Sequence, residues 1–254
     1  MHIYFTFMFF LIGLVLASFL NALLYRIDNG YKYPDIFIRG SHCEKCGKLL
    51  KTYELIPILS FIIFKGKCSK CGYEVPAYYP LSELLLGLSF ASIYYYSFSP
   101  IFYIVIIFFF VFSYFDKLYK NIPALLVDIF LGISIIYFFL QVLIKGSIPE
   151  NAMLIGIIIS LLAYILGKVL RKPFGIGDIL VFLGLSLVLP IYFYIGFIYI
   201  FLILSSLYSL LLVSLKKATL KTPLPLLPFM FVSLTILLLF NKYIVEFFSK
   251  LFYF

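Results

Sequence analysis

Tryptophan is missing from the 254 residues, and charge is scarce: Asp, Glu, Lys and Arg make up 12% of the chain against 64% apolar residues. That balance excludes a soluble globular domain, whose surface needs far more charge. Without Trp the usual aromatic anchor of membrane belts is gone, a place that 22 Tyr and 31 Phe can fill. The first apolar run has no basic segment before it and no convincing small-residue cleavage site. It therefore reads as a retained span with its N-terminus outside, not as a signal peptide. Internal repeats, low-complexity linkers and glycine-rich Rossmann-like fingerprints are also lacking.

What is there is a series of apolar runs of about 20 residues, each able to cross a hydrocarbon core of ~30 Å. They predict helices over residues 3–25, 79–97, 100–116, 122–144, 149–168, 176–191, 192–214 and 223–248. The fold class expected is an all-α polytopic membrane protein. It has about eight transmembrane helices and a zinc-ribbon-like cytoplasmic insert between the first and second. The chain divides into a first span (1–25), the insert (26–78) and a helix bundle (79–254). Pro190 either separates two helices or kinks one long one. Leu55–Phe64, only ten residues long, cannot span and predicts an interfacial, re-entrant or buried piece.

A net charge of +9 raises the question of nucleic acid. If the first loop is cytoplasmic, all basic residues except Lys145, Lys242 and Lys250 fall on the inner side. Orientation selection predicts this asymmetry, so topology accounts for the charge and no nucleic-acid partner is expected. In the first span, Gly13, Ala17 and Ser18 suit close helix packing, and Asn21 can hydrogen-bond a neighbour.

All four cysteines lie in the insert, as Cys43-Glu-Lys-Cys46-Gly and Cys68-Ser-Lys-Cys71-Gly. Two such pairs match a four-thiolate tetrahedral zinc site, with Gly47 and Gly72 letting each turn close so that backbone N–H groups face the sulfurs. Disulfides are the alternative, disfavoured on a reducing cytoplasmic side. Four protein ligands leave no open position, so the Zn2+ is expected to be structural and to stabilise a small insert with little core. His42 reads as a neighbour of the site, not a fifth ligand.

Lys172-Pro-Phe-Gly175-Ile-Gly177-Asp178 delivers one carboxylate to the start of a long apolar run. Glycine tolerates positive φ and close backbone approach, so the stretch reads as a turn that sets Asp178 at a helix mouth. An ionisable group at the edge of a span is a functional candidate. A second aspartate, Asp116, ends an aromatic run just before Ile122-Pro123. Taken singly, Asp116 also suits pairing with Lys117 or Lys120, and Asp178 pairing with Arg171 or Lys172. Jointly, two aspartates at one membrane depth suit a dyad that shares one proton: one carboxylate activates water while the other protonates the tetrahedral centre or leaving amine. Asp128 and Glu83 are further partly embedded acids for which packing or a basic partner is as good a reading as chemistry.

These residues together resemble the bacterial type IV prepilin peptidases, membrane aspartic proteases of the Gly-x-Gly-Asp type. The likeness rests on Asp116 with Pro123, Gly175-Ile-Gly177-Asp178, Arg39-Gly-Ser-His-Cys43-x-x-Cys46-Gly, Tyr53-Glu-Leu-Ile-Pro57, Gly66-Lys-Cys68-x-x-Cys71-Gly, Tyr79-Pro80-Leu-Ser-Glu83 and Ala17-Ser18-Phe-Leu-Asn21 with Tyr25-Arg26. It implies Asp116 and Asp178 as the catalytic pair, with removal of the basic leader from type IV prepilins or pilin-like pseudopilins of secretion and competence systems. It also implies N-methylation of the new N-terminus with S-adenosylmethionine as donor, in a bifunctional form marked by the cysteine insert. The location implied is the bacterial cytoplasmic membrane, multi-pass, with the insert cytoplasmic and both termini outside. Two positions depart from the family: Leu180 stands where a Lys is common, and Pro223-Leu-Pro225-Leu-Leu-Pro228-Phe229 replaces a Pro-Phe-Gly-Pro-Phe pattern.

Other functions remain open at this level. One is an intramembrane protease with a different substrate, set apart by carboxylates at mid-membrane depth. Another is an ion-coupled transporter, which would favour inverted repeats and interrupted helices. A third is a zinc-anchored scaffold without chemistry, which would tolerate losing both aspartates. Which pilin-like proteins are processed, where the donor binds and the oligomeric state lie beyond the sequence.

Overall fold

A computed structural model describes residues 1–146, 153–169, 175–217, 219 and 224–252. It divides into two compact units, Met1–Ser99 and Pro100–Phe254. No strand occurs among the described residues, and the helical class expected from the sequence is what is found.

The first unit pairs a long helix, α1 (His2–Asp28), with α4 (Tyr78–Tyr95). Between them in sequence lie two short helices, α2 (Asp35–Ile38) and α3 (Leu59–Ile63), and a single 3-10 turn over Thr52–Leu55. α1 and α4 meet at glycine: a Cβ on Gly13 would stand 2.8 Å from both the Gly87 Cα and the Leu86 carbonyl oxygen. Ala17, fully buried, extends the small-residue seam, and Asn21 Nδ2 donates to Ser82 Oγ at 3.0 Å. Close approach of this kind stands in for the hydrophobic effect, which lipid does not supply between helices. Leu55–Phe64 is not a buried piece: no residue of α3 is buried, and Leu59, Ile62 and Ile63 are exposed.

The second unit contains α5 (Ile101–Tyr119), α6 (Ala124–Lys145), α7 (Met153–Val169), α8 (Ile176–Val188), α9 (Ile191–Ser214), α10 (Leu227–Leu239) and α11 (Asn241–Phe252). α8 packs on α6 and α7, α10 on α5 and α9, and α11 on α9. Phe109, Phe112 and Phe130 pack edge to face at the core, with centroids 5.7–6.1 Å apart. Gly184 admits the Phe130 ring, which a Cβ would meet at 2.7 Å.

Among the described residues, four helices, α1, α5, α6 and α9, are long and apolar enough to cross a membrane, and Met153–Ile165, α8 and α10 are shorter apolar helices. Pro190 separates α8 from α9 and serves as the N-cap of α9, which settles the choice between a break and a kink. The last expected helix, 223–248, is instead two: α10 ends at Leu239 and α11 starts at Asn241, whose Nδ2 donates to the Leu238 carbonyl at 3.2 Å. The reason is compositional, since Lys242, Glu246 and Lys250 give α11 a charged face that a spanning helix could not bury. By packing, Tyr78–Tyr95 goes with the first span and not with the helices that follow it in the chain.

Gly13→Ala should destabilise the chain by about 1–3 kcal/mol, because the obstructing atoms are backbone and cannot swing away. A thermal midpoint in detergent equal to that of the wild type would contradict the close approach.

Candidate active site and metal centre

The four cysteine sulfurs come together in the insert, all within 4.8 Å of one another. Cys43 and Cys71 sulfurs are 3.8 Å apart, and those of Cys46 and Cys68 are 4.0 Å apart. A tetrahedron with metal–sulfur bonds of about 2.3 Å has edges of roughly 3.8 Å, so the donor set can bind a metal, and four thiolates suit zinc. All four cysteines are free thiols and not disulfides.

The local fold of the insert is the same hairpin made twice. Gly47 N–H donates to the Cys43 carbonyl and Gly72 N–H to the Cys68 carbonyl, both at 2.9 Å. Gly47 and Gly72 stand at φ of 66° and 67°, the left-handed region where glycine is free of the Cβ penalty. Cys43 N–H then bonds the Lys48 carbonyl and Cys68 N–H the Tyr73 carbonyl. At the second hairpin the N–H groups of Cys71 and Lys70 point at the Cys68 sulfur and bring its thiol down to about 6, towards the thiolate a metal needs. His42 contacts the rings of Tyr25 and Tyr31 and lies outside the sulfur cluster.

Glu54, which sequence reasoning passed over, ties the two hairpins together. It takes Lys48 Nζ at 2.7 Å from the first hairpin, Ser69 Oγ at 2.5 Å from the second, and the Lys51 N–H at 2.9 Å. These donors, Lys48 foremost, lower the carboxyl from 4.5 to about 2. The available signal was spacing: Glu54 lies three residues after Lys51, as in a capping box.

In the second unit, Asp116 lies buried near the C-terminal end of α5. It takes hydrogen bonds from the mouth of α10: Leu227 N–H donates to Oδ2 at 2.9 Å, and the Leu226 N–H also points at the carboxylate. Asp178, half-buried, sits in the first turn of α8. Both carboxylates lie in the second unit.

The glycines act differently from the expectation. Neither Gly175 (φ −56°) nor the helical Gly177 takes positive φ; their missing side chains are what matters. A Cβ on Gly175 would stand 3.0 Å from Asp178 Oδ2, so glycine lets the carboxylate fold back over the start of α8. On Gly177 it would meet Ile122 and Val127 at 3.5 and 3.8 Å, which places the start of α8 beside the turn opened by Pro123, the N-cap of α6. Asp128 is exposed on α6. Leu180 is half-buried in α8, while Arg171, Lys172 and Pro223 lie outside the described residues.

Comparison with known proteins begins with the class. Residues 11–97 match the family described as the bacterial Peptidase A24 N-terminal domain, and the likeness is to that domain alone. The particular relatives are prepilin leader peptidase/N-methyltransferases. That of Myxococcus xanthus (strain DK1622) is 40% identical over 83 residues, 32% of this chain and 23% of the relative. That of Bacillus subtilis (strain 168) is 40% identical over 83 residues, 33% of this chain and 32% of the relative, and the Vibrio cholerae protein is 32% identical over 82 residues, 30% and 32%. The matched stretch spans about a third or less of these relatives' length. Through that stretch the chain is similar to the prepilin leader peptidase/N-methyltransferases. No solved structure matches.

Serine in place of Cys43 or Cys71 should remove bound zinc, measured by elemental analysis; unchanged metal would refute the four-thiolate site. The second expectation concerns pH. Because Glu54 is lowered in the folded chain, its contribution is complete above pH 4.5 and is lost as pH falls towards about 2. Acid unfolding of Glu54→Gln should therefore start from a less stable insert and converge with wild type over that window. A gap that stays constant through it would contradict the pairing.

Proposed function

We propose that the chain is a membrane aspartic endopeptidase that removes the basic leader of type IV prepilins or pilin-like pseudopilins at the cytoplasmic face of a bacterial cell membrane. The observations that support it most are Asp116, buried with its carboxylate held by an amide at the mouth of α10, and Asp178 in the first turn of α8 of the same unit, in a chain whose residues 11–97 match the bacterial Peptidase A24 N-terminal domain. Two carboxylates that sense each other favour a state with one proton between them. The ionised partner takes a proton from water as its oxygen attacks the scissile carbonyl carbon. The protonated partner then delivers its proton to the nitrogen as the carbon–nitrogen bond breaks. Asp116 is well fitted to this, since the α10 amides fix one of its oxygens.

The same reading assigns the cysteine cluster a structural zinc ion. It assigns a second reaction as well, in keeping with the relatives' names. Bound S-adenosylmethionine supplies an activated methyl group.

Co-expression with a prepilin provides the test, read as leader length by mass spectrometry. Asp116→Asn and Asp178→Asn should each abolish cleavage, a loss of at least about 10³-fold if the pair acts as a unit. Persistent cleavage in either variant defeats the assignment.

A further inference from the structure

The segment Leu55–Phe64 of the insert carries no charge, and it turns Leu55, Ile56, Leu59, Ile62 and Ile63 outward, each between 40% and 66% exposed. A contiguous aliphatic patch of this kind marks a contact surface. Hydrogen bonds to the two helices fix its depth. Ile58 N–H donates to Glu83 Oε2 on α4 at 2.9 Å, and the same carboxylate accepts the Ser18 hydroxyl of α1. Two groups that share one carboxylate stand within about 8 Å of each other. Arg26 is the first charged residue after the apolar run of α1, and Ser18 precedes it by eight positions (26 − 18 = 8). At 1.5 Å per residue that is about 12 Å along the helix. The start of α3 therefore lies beside the apolar last turns of α1 and not beyond its end.

The segment has two unlike faces. Phe61 and Phe64 turn inward and line a cavity of about 220 Å³ together with Ser18, Tyr25, Arg26 and Glu83. Leu59, Ile62 and Ile63, spaced three and four apart, form the outward face. The backbone is closed as well. Pro57 has no N–H, and the amides of Ser60, Ile62, Phe64, Lys65 and Gly66 all donate to carbonyls of residues 56–62, at 2.7–3.1 Å. Water would satisfy those amides unaided, whereas short irregular pieces at membrane depth must satisfy them within the protein. Ile58, a β-branched residue, stands at φ 60°, a conformation that persists only where tertiary contacts impose it, here the bond to Glu83. Lys51 and Lys65, both exposed, bracket the segment, and the Lys51 ammonium lies over the Tyr53 ring. Lysine and tyrosine at the ends of an apolar piece suit an anionic membrane surface.

We propose that Leu55–Phe64 is a re-entrant wedge in the leaflet crossed by the C-terminal half of α1, its aliphatic side chains in the hydrocarbon and Lys51 and Lys65 on anionic lipid headgroups. The wedge begins directly after Glu54, the tie between the cysteine hairpins, and Cys68 follows it closely. The metal centre is thus held at the membrane surface from both ends, whatever the reaction of the second unit.

Because the chain lacks tryptophan, Ile62→Trp gives a single fluorophore in the full-length protein. It is reconstituted in vesicles of phosphatidylcholine and phosphatidylglycerol, with Lys70→Trp in the second cysteine hairpin as the reference. Emission from Ile62→Trp should be blue-shifted from the reference, quenched strongly by lipid brominated on its acyl chain and weakly by aqueous iodide. Lys70→Trp should show the reverse order. Brominated phosphatidylglycerol should quench Ile62→Trp more than brominated phosphatidylcholine at equal mole fraction, a preference lost when Lys51→Gln and Lys65→Gln are added. Iodide quenching as strong at Ile62→Trp as at Lys70→Trp overturns the wedge, since the patch then faces water, and protection from both quenchers overturns it in favour of a protein partner. A headgroup preference that survives both lysine changes overturns their part in it. Should Ile62→Trp lose metal or melt early, a lipid with a diazirine on its acyl chain decides on the wild-type chain. Photolabel within residues 55–64 is expected, and label on α1 with none there overturns the proposal.

Discussion

The hydrogen bond from the Leu227 amide to Asp116 does more than satisfy one carboxylate. It joins the end of α5 to the beginning of α10 across 111 positions of sequence, in a bundle where few polar contacts are available. In lipid, apolar side chains cannot drive helices together, because the surroundings are as apolar as the partner. What remains is shape and a small number of polar contacts. The free amides at a helix mouth carry partial positive charge, and an aspartate placed there is stabilised without any basic residue. A side chain of the candidate chemistry is thus also a tie of the fold, and the same amides that secure it define where it points.

Glycine supplies the other half of that economy. At Gly13 against Gly87, and at Gly184 against Phe130, a missing Cβ is what lets two helices close up. At Gly175 the vacated space is used by the Asp178 carboxylate itself. Gly47 and Gly72, beside the cysteines, instead exploit the left-handed backbone that glycine allows. One residue type therefore answers two different demands in one chain: proximity within the helices and conformation in the metal-binding hairpins.

How much of this could be read beforehand follows from where each constraint originates. Span lengths come from the bilayer, so hydropathy alone finds α1, α5, α6 and α9, and Pro190 sets its own boundary. The cysteine pairs carry their spacing with them, and the two hairpins form as that spacing requires. The break at Phe240 was hidden because apolar residues continue past it, and only the turn toward a charged face betrays it. The amides that receive Asp116 were out of reach, since nothing local to residue 116 refers to residue 227. Arg26 and Glu83 looked like a basic flank and a packing acid; their common cavity is a property of tertiary structure alone. Glu54 sat in the same blind spot, though its spacing from Lys51 offered a clue.

The split of the sulfur set between two hairpins has a consequence for biosynthesis. A ribosome releases Cys43 and Cys46 well before Cys68 and Cys71, so the first pair can hold an ion only incompletely. The set becomes whole at residue 71, and α4 starts at Tyr78, seven residues later (78 − 71 = 7). The sulfur set is therefore complete only just before the helix that packs on α1 begins.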